Sequence, residues 1–260
     1  MPGPDDDLQL LIAAALRAGE IAKLHFGNDP KVYDKGDEGP VTEADLAIDT
    51  MLHETLRSAR PDYGWLSEET EDTDARLTCE HVFICDPIDG TRAFIEGGKS
   101  FSHSLSVVRN GTPTAAVVFL PMRDKLYAAH LGGGSTMNGT ALQVTQTETL
   151  QDATALTTKG NLQPHHWHGD VPAIGKAYRP SLAYRMSLVG EGRFDAMMTF
   201  RPTWEWDIAA GALIIAEAGG AVTDGYGQAL RFNGSTAQVD GLLAGSPKIH
   251  SGLLAARAAK

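Results

Sequence analysis

Apolar residues near the amino terminus recur with the spacing of an α-helix. The predicted inner face of this first helix comprises Leu8, Leu11, Ile12, Ala15, Leu16, Gly19 and Ala22. Positions three or four apart lie on the same side of a helix, so this face is expected to be buried. The same spacing predicts a second helix from about residue 43 to residue 56, with inner-face residues Leu46, Ile48, Met51, Leu52, Thr55 and Leu56.

The middle of the chain has the pattern of strands instead. Short runs of apolar residues predict strands at 82–85, 104–109, 115–120 and 125–130. The dipeptide Asn110-Gly111 separates two of these runs, and Asn-Gly is typical of a tight hairpin turn. This part is therefore predicted to be an antiparallel sheet within an α+β amino-terminal part.

Beyond residue 140 the predicted elements alternate. The pattern indicates a helix at 181–190, a strand at 194–200, a helix at 207–218 and a strand at 242–244. Such alternation is typical of an α/β layer. The sequence thus predicts an α/β protein in two parts, residues 1–140 and residues 141–260.

Composition and charge exclude some classes of protein. The chain has 260 residues, of which 42% are hydrophobic, and a formal net charge of −11. A nucleic-acid polymer is not an expected partner, because binding its phosphate backbone requires clusters of Lys and Arg. A membrane is not expected either, because no apolar run approaches the roughly 20 residues of a spanning helix.

Cysteine usage and the amino terminus favour the cytoplasm. Cys79 and Cys85 are the only cysteines, and both are expected to be reduced and to share one face of an extended strand. Asp5, Asp6 and Asp7 precede the first apolar run, whereas a signal peptide begins with basic residues.

The most informative segment is Asp86-Pro87-Ile88-Asp89-Gly90-Thr91, directly after the apolar run at 82–85. Two carboxylates at the end of a buried strand can hold divalent cations, and a Gly-Thr turn can bring backbone N–H groups to a phosphate. Asp-Pro and Asp-Gly are also common turn dipeptides, so an ordinary loop is the alternative.

Two further acidic segments favour the metal interpretation. Glu68-Glu69 follows Gly64-Trp65-Leu66-Ser67, and Asp207 precedes the apolar segment at 208–218. Hard cations take several oxygen ligands from carboxylates that are distant in sequence and converge in the fold. Glu68, Asp86, Asp89 and Asp207 together would supply four carboxylates.

These motifs resemble those of the inositol monophosphatase-like family of lithium-sensitive phosphatases. The matching elements, in order, are Asp45 in Gly-Pro-Val-Thr-Glu-Ala-Asp, Glu68-Glu69, the segment 86–91, and Trp206-Asp207 leading to Glu-Ala-Gly-Gly at 217–220. The resemblance spans almost the whole chain. It implies a layered αβαβα sandwich, two or three Mg²⁺ ions, a small phosphorylated substrate and a homodimer.

The resemblance also implies roles for individual residues. Glu68, Asp86 and the Ile88 carbonyl would hold one Mg²⁺, and Asp86, Asp89 and Asp207 a second. Two such ions can clamp the oxygens of an in-line displacement by a metal-activated water. Thr91 and Asp45 would form a relay that orients this water and accepts its proton, and Glu68 joins them as a catalytic residue. The predicted substrate contacts are Gly90, Thr91, Arg185 and Arg201.

Several of these residues have simpler interpretations. Asp45 is also a favourable residue in the first turn of a helix, and Asp207 is a good helix N-cap. Gly90 is either an ordinary turn residue or a glycine that lets the backbone approach a phosphate.

The substrate is less well specified than the chemistry. Inositol-preferring relatives carry an acidic residue seven positions before the Trp-Asp aspartate, where this chain has Phe200. Inositol monophosphate is the first expectation. The alternatives are 3′-phosphoadenosine 5′-phosphate, for which Arg185 or Arg201 could pair with a second phosphate, and histidinol phosphate. A non-catalytic protein that binds phosphate or metal is the alternative of a different class.

Overall fold

The structure is a computed structural model that describes residues 2–34, 36 and 39–258. Its helices are α1 (Pro4–His25), α2 (Glu43–Ala59), α3 (Thr91–Ile95), α4 (Leu182–Gly190), α5 (Glu205–Glu217) and α6 (Pro247–Ala256). The first strands are β1 (Val32–Asp34), β2 (Pro40–Thr42), β3 (Gly64–Ser67), β4 (His81–Asp89), β5 (Ser102–Arg109), β6 (Thr112–Leu120) and β7 (Lys125–His130). The remaining strands are β8 (Gly134–Met137), β9 (Thr140–Ala141), β10 (Thr154–Leu156), β11 (Gly175–Ala177), β12 (Ala196–Trp204), β13 (Ala221–Thr223) and β14 (Gln238–Gly245).

The larger sheet has seven strands in the order β3-β4-β5-β6-β7-β8-β9. Every neighbouring pair from β4 onward is antiparallel, as the sequence predicted. Asn110 and Gly111 both have positive φ angles, 49° and 81°, which a tight hairpin turn requires. Strand β3 was not predicted; it is only four residues long and pairs in parallel with β4.

Side chains of β4 alternate between two helical layers. Phe83 and Cys85 belong to the core formed with α1 and α2. Val82 and Ile84 belong to the core formed with α4 and α5. Successive residues of a strand point to opposite faces, so this nine-residue strand is buried between two layers of helices.

The smaller sheet has five strands in the order β11-β10-β12-β14-β13. Met197 and Ala244 face the same α4–α5 layer as the large sheet. Met198 and Leu243 face the opposite way and pack with Ile249 of α6. The layers are therefore helix, sheet, helix, sheet, helix, which confirms the predicted αβαβα sandwich.

Several details differ from the sequence predictions. Leu16 and Leu46 were assigned to inner helix faces but are 46% and 41% exposed, because each lies outside the buried stripe of its helix. The strand predicted at 194–200 is β12, which runs to Trp204, and the helix predicted to begin at residue 207 begins at Glu205. The division near residue 140 stays a prediction.

The cysteines are free, as predicted, but they do not share a strand. Cys85 is buried in β4, whereas Cys79 follows a short 3₁₀ turn (Asp74–Thr78) two residues before β4 begins. Within the described part of the chain, no helix is long and apolar enough to cross a membrane.

Candidate metal centre and active site

A β-bulge places the two aspartates of the 86–91 segment on one side of the sheet. Asp86 pairs with Ser104 and Asp89 with Ser102, so three steps along β4 oppose two steps along β5. In a regular strand, the side chains of two residues three positions apart point to opposite faces of the sheet. The bulge lets both carboxylates point to the same side, and both are buried.

A buried histidine lies beside this bulge. The Nδ1 atom of His103 is 2.5 Å from the carbonyl oxygen of Pro87, to which it donates a hydrogen bond. Burial lowers the pKa of His103 to about 4, so the ring is neutral at physiological pH. No sequence pattern singled out His103, because a histidine in an apolar strand carries no signal of its own.

Helix α5 brings the third aspartate to the same place. The hydroxyl of Ser104, which is the pairing partner of Asp86, donates to the carbonyl of Trp206 at 2.8 Å. Asp86, Asp89 and Asp207 each offer a carboxylate oxygen, and these atoms lie within 4.8 Å of one another. The N-cap interpretation of Asp207 is wrong, because Trp204 occupies the N-cap position and Asp207 lies in the first turn.

The electrostatics of this cluster fit a bound cation. Among the described residues, neither carboxylate oxygen of Asp86 has a hydrogen-bond partner. Burial, and then the charges of Glu68, Asp89 and Asp207, raise the pKa of Asp86 well above its usual 3.8. Burial and the charges of Asp89 and Glu68 likewise raise the pKa of Asp207. Buried, mutually repelling carboxylates are the oxygen donors that a divalent cation needs.

Glu68 lies at the edge of this cluster rather than within it. The Glu68 N–H donates to the Cys85 carbonyl at 3.3 Å, which continues the pairing of β3 with β4 beyond Ser67. Glu68 and Glu69 line a cleft of about 690 Å³ together with Asp207. The charge of Glu68 raises the pKa of both Asp86 and Asp207.

Asp45 contacts both the start of α2 and Thr91. It lies in the first turn of α2, where its Oδ2 atom accepts hydrogen bonds from the N–H and hydroxyl of the N-cap Thr42, at 2.9 and 2.5 Å. Its Oδ1 atom lies 3.3 Å from the hydroxyl of Thr91, which is also 3.1 Å from the Ile88 carbonyl. Burial raises the pKa of Asp45 despite these hydrogen bonds.

The turn after Asp89 requires a glycine for its backbone conformation. Gly90 has a φ angle of 101°, which side-chain-bearing residues rarely adopt. A Cβ atom built there would meet Phe101 and Ser181 at ordinary contact distances of 3.5 to 3.6 Å. The backbone conformation therefore requires glycine here, and the approach of a phosphate to Gly90 stays a prediction.

The two predicted substrate arginines lie in different environments. Arg201 is exposed and lines the acidic cleft. Arg185 is buried; it donates to the carbonyls of Arg179 and Pro180, and its guanidinium lies 4.4 Å from the centre of the Tyr178 ring. Both arginines line a second pocket of about 580 Å³ with His165 and His166, and no acidic residue is among its described lining residues.

Comparison with known proteins assigns the family. Residues 4–260 match the sequence model of the inositol monophosphatase family. The chain belongs to the inositol monophosphatase family. Members of this family are metal-dependent phosphatases, so the chain is a phosphoric monoester hydrolase, and the acidic cluster around Asp86 is its candidate metal centre.

Named relatives of the inositol monophosphatase family cover nearly the full length. The inositol-1-monophosphatase of Rhizobium meliloti (strain 1021) is 36% identical over 235 residues, covering 85% of this chain and 86% of the relative. The Nus factor SuhB of Escherichia coli (strain K12) is 29% identical, covering 95% and 94%. The solved IMPase of Thermotoga maritima matches with a TM-score of 0.82 at 29% identity, covering 96% of each chain.

Proposed function

We propose that this enzyme is a Mg²⁺-dependent phosphomonoesterase that hydrolyses a small phosphorylated alcohol such as inositol monophosphate. The observation that carries the proposal is the group of three carboxylates, Asp86, Asp89 and Asp207, at the end of the bulged strand β4. The similarity to the inositol-1-monophosphatase of Rhizobium meliloti supports inositol monophosphate as the substrate.

In this proposal the acidic cluster holds two or three Mg²⁺ ions. Glu68, Asp86 and the Ile88 carbonyl would hold one ion, and Asp86, Asp89 and Asp207 would hold another. All five donors are oxygen atoms, which Mg²⁺ prefers, and Asp86 has both oxygens free of hydrogen bonds among the described residues. Bound divalent cations would stabilise charge on the phosphate and make a water acidic enough to attack it.

Thr91 and Asp45 handle the proton of the attacking water. The Thr91 hydroxyl donates to Oδ1 of Asp45, so its own oxygen is available to accept a hydrogen bond from that water. Burial raises the pKa of Asp45, which makes this carboxylate a better proton acceptor than an exposed aspartate. Glu68 lines the same cleft as Asp207, where it would support this step as a metal ligand.

A second candidate substrate is a phosphate ester that carries another phosphate, such as 3′-phosphoadenosine 5′-phosphate. The observation that favours it is the pocket with Arg185, Arg201, His165 and His166, which shares Arg201 with the acidic cleft. Guanidinium groups bind phosphate through charge-assisted hydrogen bonds. Phe200, at the position where inositol-preferring relatives carry an acid, also lines this pocket.

Phosphate release by the purified enzyme tests these proposals. Inositol 1-phosphate, 3′-phosphoadenosine 5′-phosphate, histidinol phosphate and fructose 1,6-bisphosphate are compared with Mg²⁺ and with EDTA. We expect Mg²⁺-dependent turnover and a preference for inositol 1-phosphate of about tenfold or more, equivalent to about 1.4 kcal/mol in transition-state binding. The variant Asp89→Asn, purified in the same way, controls for contaminating phosphatases.

The outcomes separate the candidates. A preference for 3′-phosphoadenosine 5′-phosphate would replace the first substrate by the second. Equal turnover in EDTA would contradict the dependence on Mg²⁺.

Two further properties are part of the proposal. The enzyme forms a homodimer, which sedimentation of a monomer at working concentration would contradict. Its location is the cytoplasm, where the free thiols of Cys79 and Cys85 would stay reduced.

A further inference from the structure

One buried carboxylate holds both ends of the tetrapeptide that carries Glu68. Oδ1 of Asp49 accepts a hydrogen bond from the hydroxyl of Ser67 at 2.5 Å, and Oδ2 accepts one from the hydroxyl of Thr70 at 2.6 Å. Asp49 is only 8% exposed. Because the two oxygens of Asp49 bind Ser67 and Thr70, this one side chain fixes both ends of the loop that carries Glu68 and Glu69.

The hydrogen bond from Thr70 to Asp49 fixes the chain beyond the end of strand β3, where no strand pairing holds it. The pairing of β3 with β4 ends at Ser67, and one further backbone bond follows, from the Glu68 N–H to the Cys85 carbonyl. Beyond Glu68, the hydroxyl of Thr70 is anchored by Asp49 and by the Trp65 indole N–H at 3.2 Å. The backbone that carries Glu68 therefore has an anchor on each side of this residue.

The anchor belongs to the same helix as Asp45. Asp45 and Asp49 are four positions apart on α2, so their side chains lie on one face of that helix. Asp45 contacts Thr91 beside the bulge, whereas Asp49 contacts the loop that carries Glu68. One helix thus contacts both Thr91 and the loop that carries Glu68.

We propose that Asp49 is a positioning residue for the metal centre, which orients the Glu68 carboxylate towards Asp86 and Asp207 through Ser67 and Thr70. This inference rests on the proposed function, in which Glu68 is a metal ligand. Groups that hydrogen-bond around a metal site orient its ligands, and their loss typically weakens metal binding by 10-fold to 100-fold.

Calorimetric titration of the metal-free enzyme with Mg²⁺ tests this role without measuring catalysis. Asp49→Asn keeps the shape of the side chain but removes its charge and one acceptor. We expect the Mg²⁺ dissociation constant to rise about tenfold or more. Thr70→Ala should have a similar effect, whereas Thr70→Ser, which retains the hydroxyl, should bind Mg²⁺ as the unsubstituted enzyme does.

Asp195 provides a matched control. It is also 8% exposed, and it accepts hydrogen bonds from the Thr147 hydroxyl at 2.6 Å and the Thr154 N–H at 2.7 Å, next to the smaller sheet. Asp195→Asn should lower the melting temperature while leaving the Mg²⁺ dissociation constant within twofold. This control would distinguish the general effect of losing a buried carboxylate from the specific effect of losing Asp49.

The outcomes distinguish this inference from the proposed function. If the unsubstituted enzyme binds Mg²⁺ and Asp49→Asn binds it equally well, the role of Asp49 is overturned while the metal centre stands. If the unsubstituted enzyme binds no Mg²⁺, the proposed function is overturned together with it. Should Asp49→Asn fail to fold, the pair Thr70→Ala and Thr70→Ser decides, because equal affinities in that pair would overturn the role.

Discussion

The hydroxyl of Ser181 lies 2.6 Å from Oδ2 of Asp89, although the two residues are 92 positions apart. Ser181 is also the N-cap of α4, where its oxygen accepts from the Tyr184 N–H at 2.9 Å. The Ala183 N–H donates to the same Oδ2 atom at 2.6 Å. The amino end of α4, in the second half of the chain, therefore binds one carboxylate oxygen of Asp89, which belongs to the first half.

Removing the Ser181 hydroxyl should disturb both the helix and the metal centre. Ser181→Ala loses an N-cap, which costs about 1 kcal/mol, and frees one side of Asp89. We expect a lower melting temperature and several-fold weaker Mg²⁺ binding by calorimetry. Ser187→Ala removes another buried hydroxyl of α4, one that donates to the Ala183 carbonyl at 2.9 Å, and should affect stability alone. Equal Mg²⁺ affinity in both variants would contradict the prediction.

Removing the Thr91 hydroxyl should slow the reaction more than it weakens metal binding. Thr91→Ala deletes the group that lies between Asp45 and the attacking water in the proposed mechanism. A positioned proton acceptor typically contributes 10²-fold to 10⁴-fold, so kcat should fall by about 10²-fold or more. Thr91→Ser should recover most of the rate. The relay would be wrong if Thr91→Ala changed only the Mg²⁺ concentration at half-maximal rate.

The metal-free enzyme should lose stability as the pH rises. Asp45, Asp86, Asp89 and Asp207 all have folded-state pKa values raised by burial. A carboxyl group whose pKa is higher in the folded state stabilises the folded protein while it is protonated. This stabilisation is fully present below pH 3.8, the usual carboxyl pKa, and is lost as the pH rises through the pKa of the folded state. Mg²⁺ offsets this loss by compensating the carboxylate charges.

Thermal denaturation checks this dependence on pH. The increase in melting temperature caused by Mg²⁺, relative to EDTA at the same pH, should be larger at pH 8 than at pH 5. Taking this difference removes the contribution of groups far from the metal centre. An increase that is constant, or larger at pH 5, would show that these carboxylates do not bind the ion.

Arg201 should matter more for a substrate with two phosphates than for one with a single phosphate. Arg201→Ala removes a guanidinium shared by the acidic cleft and the pocket beside it. We expect kcat/KM for 3′-phosphoadenosine 5′-phosphate to fall at least tenfold further than that for inositol 1-phosphate. Arg231→Ala, which removes an exposed arginine near Thr112, is the control. An equal effect on both substrates would exclude Arg201 from substrate discrimination.

Li⁺ should inhibit turnover if one Mg²⁺ position is weak. Li⁺ is similar in size to Mg²⁺ but has a single charge, so it can occupy such a position without stabilising the reaction equally well. We expect inhibition at millimolar LiCl under saturating substrate, measured against NaCl at the same ionic strength. Unchanged turnover in LiCl would remove this detail and leave the phosphatase activity untouched.

The sequence by itself determined many of the helices and strands and the kind of chemistry. Helical spacing in α1 and α2 and the apolar runs of the large sheet predicted these elements because each depends on local periodicity and on the nearest turns. The segment from Asp86 to Thr91, together with Glu68 and Asp207, indicated metal-assisted phosphate chemistry because its two carboxylates lie three positions apart at the end of an apolar run. Strand β3 and the exposure of Leu16 and Leu46 were not predicted, because a short strand and the edge of a helix face depend on what packs against them.

Only the tertiary structure decided how these groups meet. The bulge that turns Asp86 and Asp89 to one side depends on pairing with β5, and the place of Asp207 depends on how α5 packs against that strand. The hydrogen bonds from Ser67 to Asp49 and from Ser181 to Asp89 join residues that no local pattern relates. The periodicity of a sequence shows which face of a helix or strand is apolar. Which polar groups distant in sequence come into contact depends on how the layers pack against one another.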